Sequence, residues 1–188
     1  MFDRNPKSLY SLILTFVVLT LNVKTYAQNT WQQEINYQIN VKLDDEKHFL
    51  HGDISIVYHN NSPQTLNELW MHVFPNAYKT TKSAFAIQKL EDNSTKFQFA
   101  MEEERGYMDS LNFLIDGLRV GVISDEKYPD ILKLILPKGL APGQSIQITS
   151  PFRVKLPYTF SRMGHVEQSY QISQWYPKPA VFDHKGWH

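Results

Sequence analysis

The sequence predicts an all-β protein, an antiparallel β-sandwich or saddle-shaped sheet carrying one short helix. Three observations predict it. Apolar residues recur at every second position over most of the chain after residue 33, the period at which side chains alternate between the two faces of a strand. The alternating runs are short, and clusters of Gly, Pro, Asn and Asp separate them; these are the residues that supply turn conformations. Only one segment shows helical spacing.

The elements follow in chain order. Ile35, Tyr37, Ile39, Val41 and Leu43 alternate with Glu34, Asn36, Gln38, Asn40 and Lys42, which is the pattern of a half-buried strand. Asp44, Asp45 and Glu46 make a turn, and residues 49–59 repeat the alternation as the second strand of a hairpin. Asn60-Asn61-Ser62-Pro63 ends that strand. Residues 66–74 read as a third strand with large groups on both faces: Leu69, Met71 and Val73 on one, Trp70, His72 and Phe74 on the other. Such a strand is either buried on both faces or meets a neighbouring domain. Residues 82–91 place Phe85, Ile87 and Leu90 on one helical face, and Asp92-Asn93 stops the run.

Glu102, Glu103 and Glu104 read as a solvated loop. Alternation returns at Leu111, Phe113 and Ile115, at Val120 and Val122, and at Leu132, Leu134 and Leu136. Residues 137–143 are a Pro- and Gly-rich loop. A long strand carries Ile146, Ile148, Ser150, Phe152, Val154 and Leu156, and Pro151 within it argues for an edge or a bulge. A loop at 157–168 leads to a last strand around 169–176. Each buried Ile, Leu, Val or Phe contributes roughly 1.5–3 kcal/mol, so one inward face per strand is ample before chain entropy is subtracted. No internal repeat or low-complexity segment interrupts the pattern.

The front of the chain is of another kind. Arg4 and Lys7 precede an apolar run over residues 9–23, and Thr25-Tyr26-Ala27 forms a small-x-small ending. This is the arrangement of a cleaved export signal over residues 1–27. The alternative is a membrane anchor, but the run carries Ser11, Thr15, Thr20 and Asn22 and falls short of the roughly 20 apolar residues that a spanning helix needs. No stable membrane anchor is therefore expected, and the mature protein is expected to be periplasmic or extracellular. Residues 28–188 have the length of one domain.

The chain holds 19 basic and 19 acidic residues and no cysteine. Setting aside Arg4, Lys7 and Lys24 against Asp3 leaves the remainder slightly acidic, which gives no electrostatic reason to bind nucleic acid. The lack of cysteine removes disulfides, thiol nucleophiles and lipoprotein anchoring through a thiol.

The motifs of common catalytic chemistries are absent from the sequence. There is no His-Glu-x-x-His, Gly-x-Ser-x-Gly, Walker loop or dinucleotide fingerprint. His48 and His51, three apart on an extended chain, face opposite ways. His72 shares a face with Trp70 and Phe74 and reads as a packed or interface histidine. His165 stands in a loop without a second histidine nearby in sequence, and His184 and His188 flank Gly186 without a helical pattern. Asn60-Asn61-Ser62 and Asn93-Ser94-Thr95 match the short N-glycosylation acceptor pattern.

Residues 31–79, WQQEINYQINVKLDDEKHFLHGDISIVYHNNSPQTLNELWMHVFPNAYK, resemble the opening of the N-terminal domain of aminopeptidase N-type zinc metallopeptidases, the gluzincins, in their Bacteroidetes-like exported subgroup. The resemblance is carried by an acidic turn into a Gly-containing second strand, by Asn-Asn-Ser-Pro opening into Leu-x-x-Leu-Trp, and by Phe74 to Tyr78. It continues through Glu104-Arg105-Gly106-Tyr107, residues 140–145, Lys155-Leu156-Pro157, Phe160-Ser161-Arg162 and residues 174–178. It implies a saddle-shaped β-domain that precedes a helical catalytic domain. The zinc motif and the peptide-recognition glycines would lie in that downstream domain, so this chain by itself holds no zinc and should not hydrolyse peptides.

The resemblance further implies that a Gln or Glu near the end of the β-domain meets the substrate's free amine, with Gln174 and Gln171 as the candidates. Trp70, Phe74, Trp175, Tyr176 and Trp187 become the candidate interface with the catalytic domain. Partners would be that domain and, in the intact protein, a peptide substrate, with zinc as its cofactor. The alternative is a stand-alone β-sandwich module that binds glycan or protein through the aromatic surface at Trp70, Trp175, Tyr176 and Trp187, since large apolar patches mark interaction sites.

Overall fold

Two antiparallel sheets face one another in the computed structural model, which describes residues 31–188. The expected signal, residues 1–27, lies outside the described residues. The alternating runs become β1 (Glu34–Asp44) and β2 (Phe49–His59), paired through eleven residues without a register break. The turn between them is closed by the Lys47 N–H, which donates to Asp44 Oδ1 at 3.0 Å. β3 (Leu66–His72) is shorter than expected, because Pro75 opens a 3₁₀ turn at Phe74–Tyr78 and lacks the N–H that would continue the ladder. The helix α1 (Ala84–Glu91) starts at Ser83, whose Oγ accepts the Ala86 N–H at 3.2 Å. The acidic run forms an exposed 3₁₀ turn at Glu102–Glu104.

Beyond it lie β4 (Tyr107–Asp109), β5 (Leu114–Ile115), β6 (Leu118–Arg119), β7 (Gly121–Ser124), β8 (Ile131–Leu140) and β9 (Ser145–Lys155). The chain closes with β10 (Gly164–Val166), β11 (Ser169–Gln171), β12 (Lys178–Pro179), β13 (Phe182–Asp183) and β14 (Gly186–Trp187). The first sheet runs β1-β2-β9-β5-β6, with β4 also on β9; the second runs β12-β3-β8-β7. Leu50, Ile54, Ile56, Tyr58, Ile148, Phe152 and Val154 of the first sheet meet Leu69, Met71, Leu132, Leu134 and Leu136 of the second in one core.

Four sequence expectations are corrected. Pro151 sits in neither an edge nor a bulge: β9 is central and pairs with β2 in unbroken register, Pro151 opposite Asp53. Proline is tolerated because the neighbour on the other side is interrupted. β4 ends opposite Arg153 and β5 begins opposite Thr149, and between them the Asn112 N–H donates to Ser150 Oγ at 2.9 Å. Residues 137–140 are not loop. β8 runs to Leu140 past a register shift between Leu66 and Glu68, and Pro137 falls in that irregular stretch, where a missing donor breaks no regular ladder.

The last strand stops at Gln171 and not at residue 176, and it belongs to a hairpin, β10–β11, inside the expected loop. Finally, β1 is less buried than its pattern suggests. Tyr37, Val41 and Leu43 are 40%, 47% and 39% exposed, because β1 is the outermost strand of its sheet and overhangs the core.

The crossing from the first sheet to the second is pinned by Asn60, which is fully buried. Its Nδ2 donates to the carbonyls of Gln64 (2.8 Å) and Leu140 (2.9 Å). Its Oδ1 accepts from the Ser62 N–H (3.0 Å) and hydroxyl (2.6 Å). Its backbone exchanges bonds with the β8–β9 turn: Asn60 N–H to Gln144 O at 2.9 Å, and Gly143 N–H to Asn60 O at 2.7 Å. The Asn60-Asn61-Ser62 acceptor motif is thus a structural pin, with its acceptor nitrogen out of reach of any glycan.

Candidate functional site

The five aromatic candidates fall into three contact groups. Trp70 lies on the face of β3 turned away from the core, half-buried. Its Nε1–H donates to Glu68 Oε1 at 2.8 Å, and the Lys133 ammonium stands 4.7 Å from its ring centroid while pairing with Glu68 at 3.0 Å. Partial burial pushes the Glu68 carboxyl up, but the hydrogen bonds from Trp70 and Lys133 prevail and hold it below the usual carboxylate range. On the same row, His72 stacks on Phe74 with centroids 4.7 Å apart and planes 8° off parallel, and Lys178 Nζ lies 5.0 Å from the Phe74 ring. The His72 Nε2–H donates to the His188 carbonyl at 3.2 Å. This outer face also carries Ile123 and Ile135, both exposed.

Trp175 and Tyr176 turn instead to the first sheet. Trp175 packs against Phe152 (6.0 Å), and Tyr176 meets Tyr37 edge-on (5.6 Å). Trp187 forms the third group, tilted against Phe182 (4.6 Å), which also meets Trp31 (5.3 Å). β12 pairs with β3, Lys178 opposite His72, and β13–β14 follow as a hairpin. The last stretch of the described chain is therefore folded back onto the domain.

Gln171 ends β11 and is exposed. Gln174 is exposed in a bend at φ 54°, in the left-handed region that non-glycine residues seldom enter. Neither glutamine lines a described cavity. The largest of these, about 730 Å³, lies between the 3₁₀ turn at Phe74–Tyr78 and the loop after β7. Lys79, Lys82 and Lys127 line it together with Asp125 and Glu126, a mixture that favours neither anion nor cation.

One cluster was invisible to spacing. His48, at φ 58° in the β1–β2 turn, stacks on His165 of β10 with centroids 3.7 Å apart and planes 16° off parallel. The Tyr170 hydroxyl donates to the Asp45 carbonyl (3.0 Å) and accepts from the His48 Nδ1–H (2.8 Å). The His165 Nδ1–H donates to the Glu167 carbonyl at 3.2 Å. Burial lowers the His165 pKa against that hydrogen bond, with help from nearby His48 and Lys155. The two histidines are far apart in sequence, and only the return of the β10–β11 hairpin to the first turn unites them.

Among the described residues no three His, Asp or Glu side chains gather as a metal site. The near-parallel rings of His48 and His165 stack face to face, so the pair does not offer converging lone pairs to one ion. Among the described residues no helix is long and apolar enough to cross a membrane. Neither a known family model nor a curated protein matches the sequence.

Proposed function

We propose that this chain is the non-catalytic N-terminal β-domain of an exported zinc metallopeptidase resembling aminopeptidase N, whose intact form removes N-terminal residues from peptides. The observation that carries the reading is the ordered run of motifs from Trp31 to Lys178, and the two-sheet all-β fold is compatible with it. In this reading the outer face of β3, with Trp70 and Phe74, seats against the catalytic domain, and Gln174 or Gln171 reaches toward the substrate amine as a hydrogen-bond acceptor. Zinc and its ligands belong to the catalytic domain, and no step of hydrolysis is assigned to residues of this chain.

The glycan-binding alternative is less well supported. The Trp70 ring is capped by the Lys133 ammonium, and Trp175 and Tyr176 pack against their own sheet. Each of the three is half-buried and already engaged by its own domain.

The test is genetic and then enzymatic. The coding sequence continuing from this one should encode His-Glu-x-x-His with a later Glu. The joined protein should release aminoacyl reporters in a chelator-sensitive way, and the present chain should release none. Gln174→Ala in the joined protein should raise KM more than it lowers kcat. Chelator-sensitive release by the present chain alone would overturn the reading.

A further inference from the structure

The first sheet ends on a strand that lacks most of the usual protection. Exposed edges in native proteins are blunted by proline, bulges, short length, charges or a covering element, and of these β1 carries only charges near its ends, Glu34, Lys42 and Asp44. β1 has eleven residues, no proline, no glycine and no register break against β2. Among the described residues it pairs with β2 alone, and no other backbone bond reaches it. Its core-side residues Tyr37, Val41 and Leu43 remain exposed along this edge. A long, regular, apolar edge is a template for another strand.

We propose that β1 pairs with β1 of a second copy, antiparallel about a two-fold axis through Gln38, joining two six-stranded sheets into one. The charges select both the partner and the register. An isologous antiparallel pairing must match odd with odd residues to keep one apolar face continuous. Centred on Gln38, it sets Glu34 opposite the partner's Lys42 at both ends, and Tyr37 opposite the partner's Ile39. Centring one step further, on Ile39, sets Glu34 against the partner's Asp44, and centring on Asn40 sets it against the partner's Glu46. Centring on Tyr37 makes no ion pair. Opposite charges directly across a ladder stabilise it and like charges oppose it, so the strand's sequence is complementary to itself in one register. This inference does not depend on the peptidase reading.

The test is sedimentation of the full chain over a range of concentrations, with charge reversals. Wild type should show a concentration-dependent dimer. Glu34→Lys or Lys42→Glu alone places like charges at both ends and should weaken the dimer about tenfold. The double reversal should restore it. The chain has no cysteine, so Gln38→Cys introduces a single thiol at the axis and should oxidise to a covalent dimer, whereas Gln64→Cys should not. A monomer at every concentration would overturn the proposal. So would a dimer indifferent to both single reversals, which would locate association elsewhere, such as the outer face of β3.

Discussion

Replacing Asn60 by alanine tests whether the crossing between the sheets is held by one side chain. The substitution removes two donated bonds, to Gln64 and Leu140, and two accepted from Ser62. A fifth, from Gln33 Nε2 at 3.3 Å, is partly exposed and water can replace it. The Leu140 carbonyl and the Ser62 N–H stay behind at a site with no solvent exposure at Asn60 and only 2% at Ser62. Each buried bond contributes about 1 kcal/mol net, and each stranded partner costs more, which sums to about 3–4 kcal/mol. For a domain of this size that is a loss of about 10 °C in Tm and a large share of a total of roughly 5–15 kcal/mol.

Urea unfolding should show a lower midpoint at unchanged slope. Asn60→Asp keeps the acceptor but aims a carboxylate oxygen at two carbonyls, and should be at least as damaging. Asn61→Ala loses one exposed bond, to the Gln32 carbonyl, and should stay within about 1 kcal/mol of wild type. If Asn60→Ala also stays within 1 kcal/mol, the buried network is not what fixes the crossing.

Three other outcomes follow from the same reasoning. Gly52→Ala sets a Cβ 2.5 Å from Phe152 Cζ and 2.7 Å from the Asn40 carbonyl oxygen; because the second is backbone, the strand must shift, at about 1–3 kcal/mol, read by thermal unfolding. Tyr58 is fully buried, its hydroxyl finds no partner among the described residues, and burial raises its pKa. Tyr58→Phe should therefore be neutral or stabilising by up to about 1 kcal/mol. His165 is held below its ordinary pKa, first by burial, so the unfolded chain takes the proton first. Stability present above about pH 6.5 should fall as the pH drops through that value toward the folded pKa, and His165→Gln should flatten this part of the urea-midpoint profile.

What the sequence made legible was whatever depends on neighbours in the chain. The period-2 runs located β1, β2, β8 and β9, and Asp92-Asn93 marked where the helix stops. What it hid depends on who lies across the ladder. Pro151 signals an edge unless one knows that β4 and β5 leave a gap beside it. The apolar face of β1 reads as half-buried unless one knows that the strand is outermost. The stacking of His48 on His165 has no local signature, since it arises where two hairpins meet. Gln174 sits in a bend and not in the expected strand, because the β10–β11 hairpin uses up the alternation by Gln171.

The place of β9 in the chain has a consequence for how the protein comes into being. β9 is the common neighbour of β2, β4 and β5, yet it is the last long strand to be synthesised. His59 waits for Ser145, and at the usual pace of translation the interval is on the order of ten seconds. During it, the β1–β2 ribbon stands with Ile54, Ile56 and Tyr58 bare to water. A nascent chain halted before residue 145 can close neither the first sheet nor the core. The maturing polypeptide thus passes through a long open stage, in which a holdase that grips apolar ribbons, or a second nascent copy, would find it receptive.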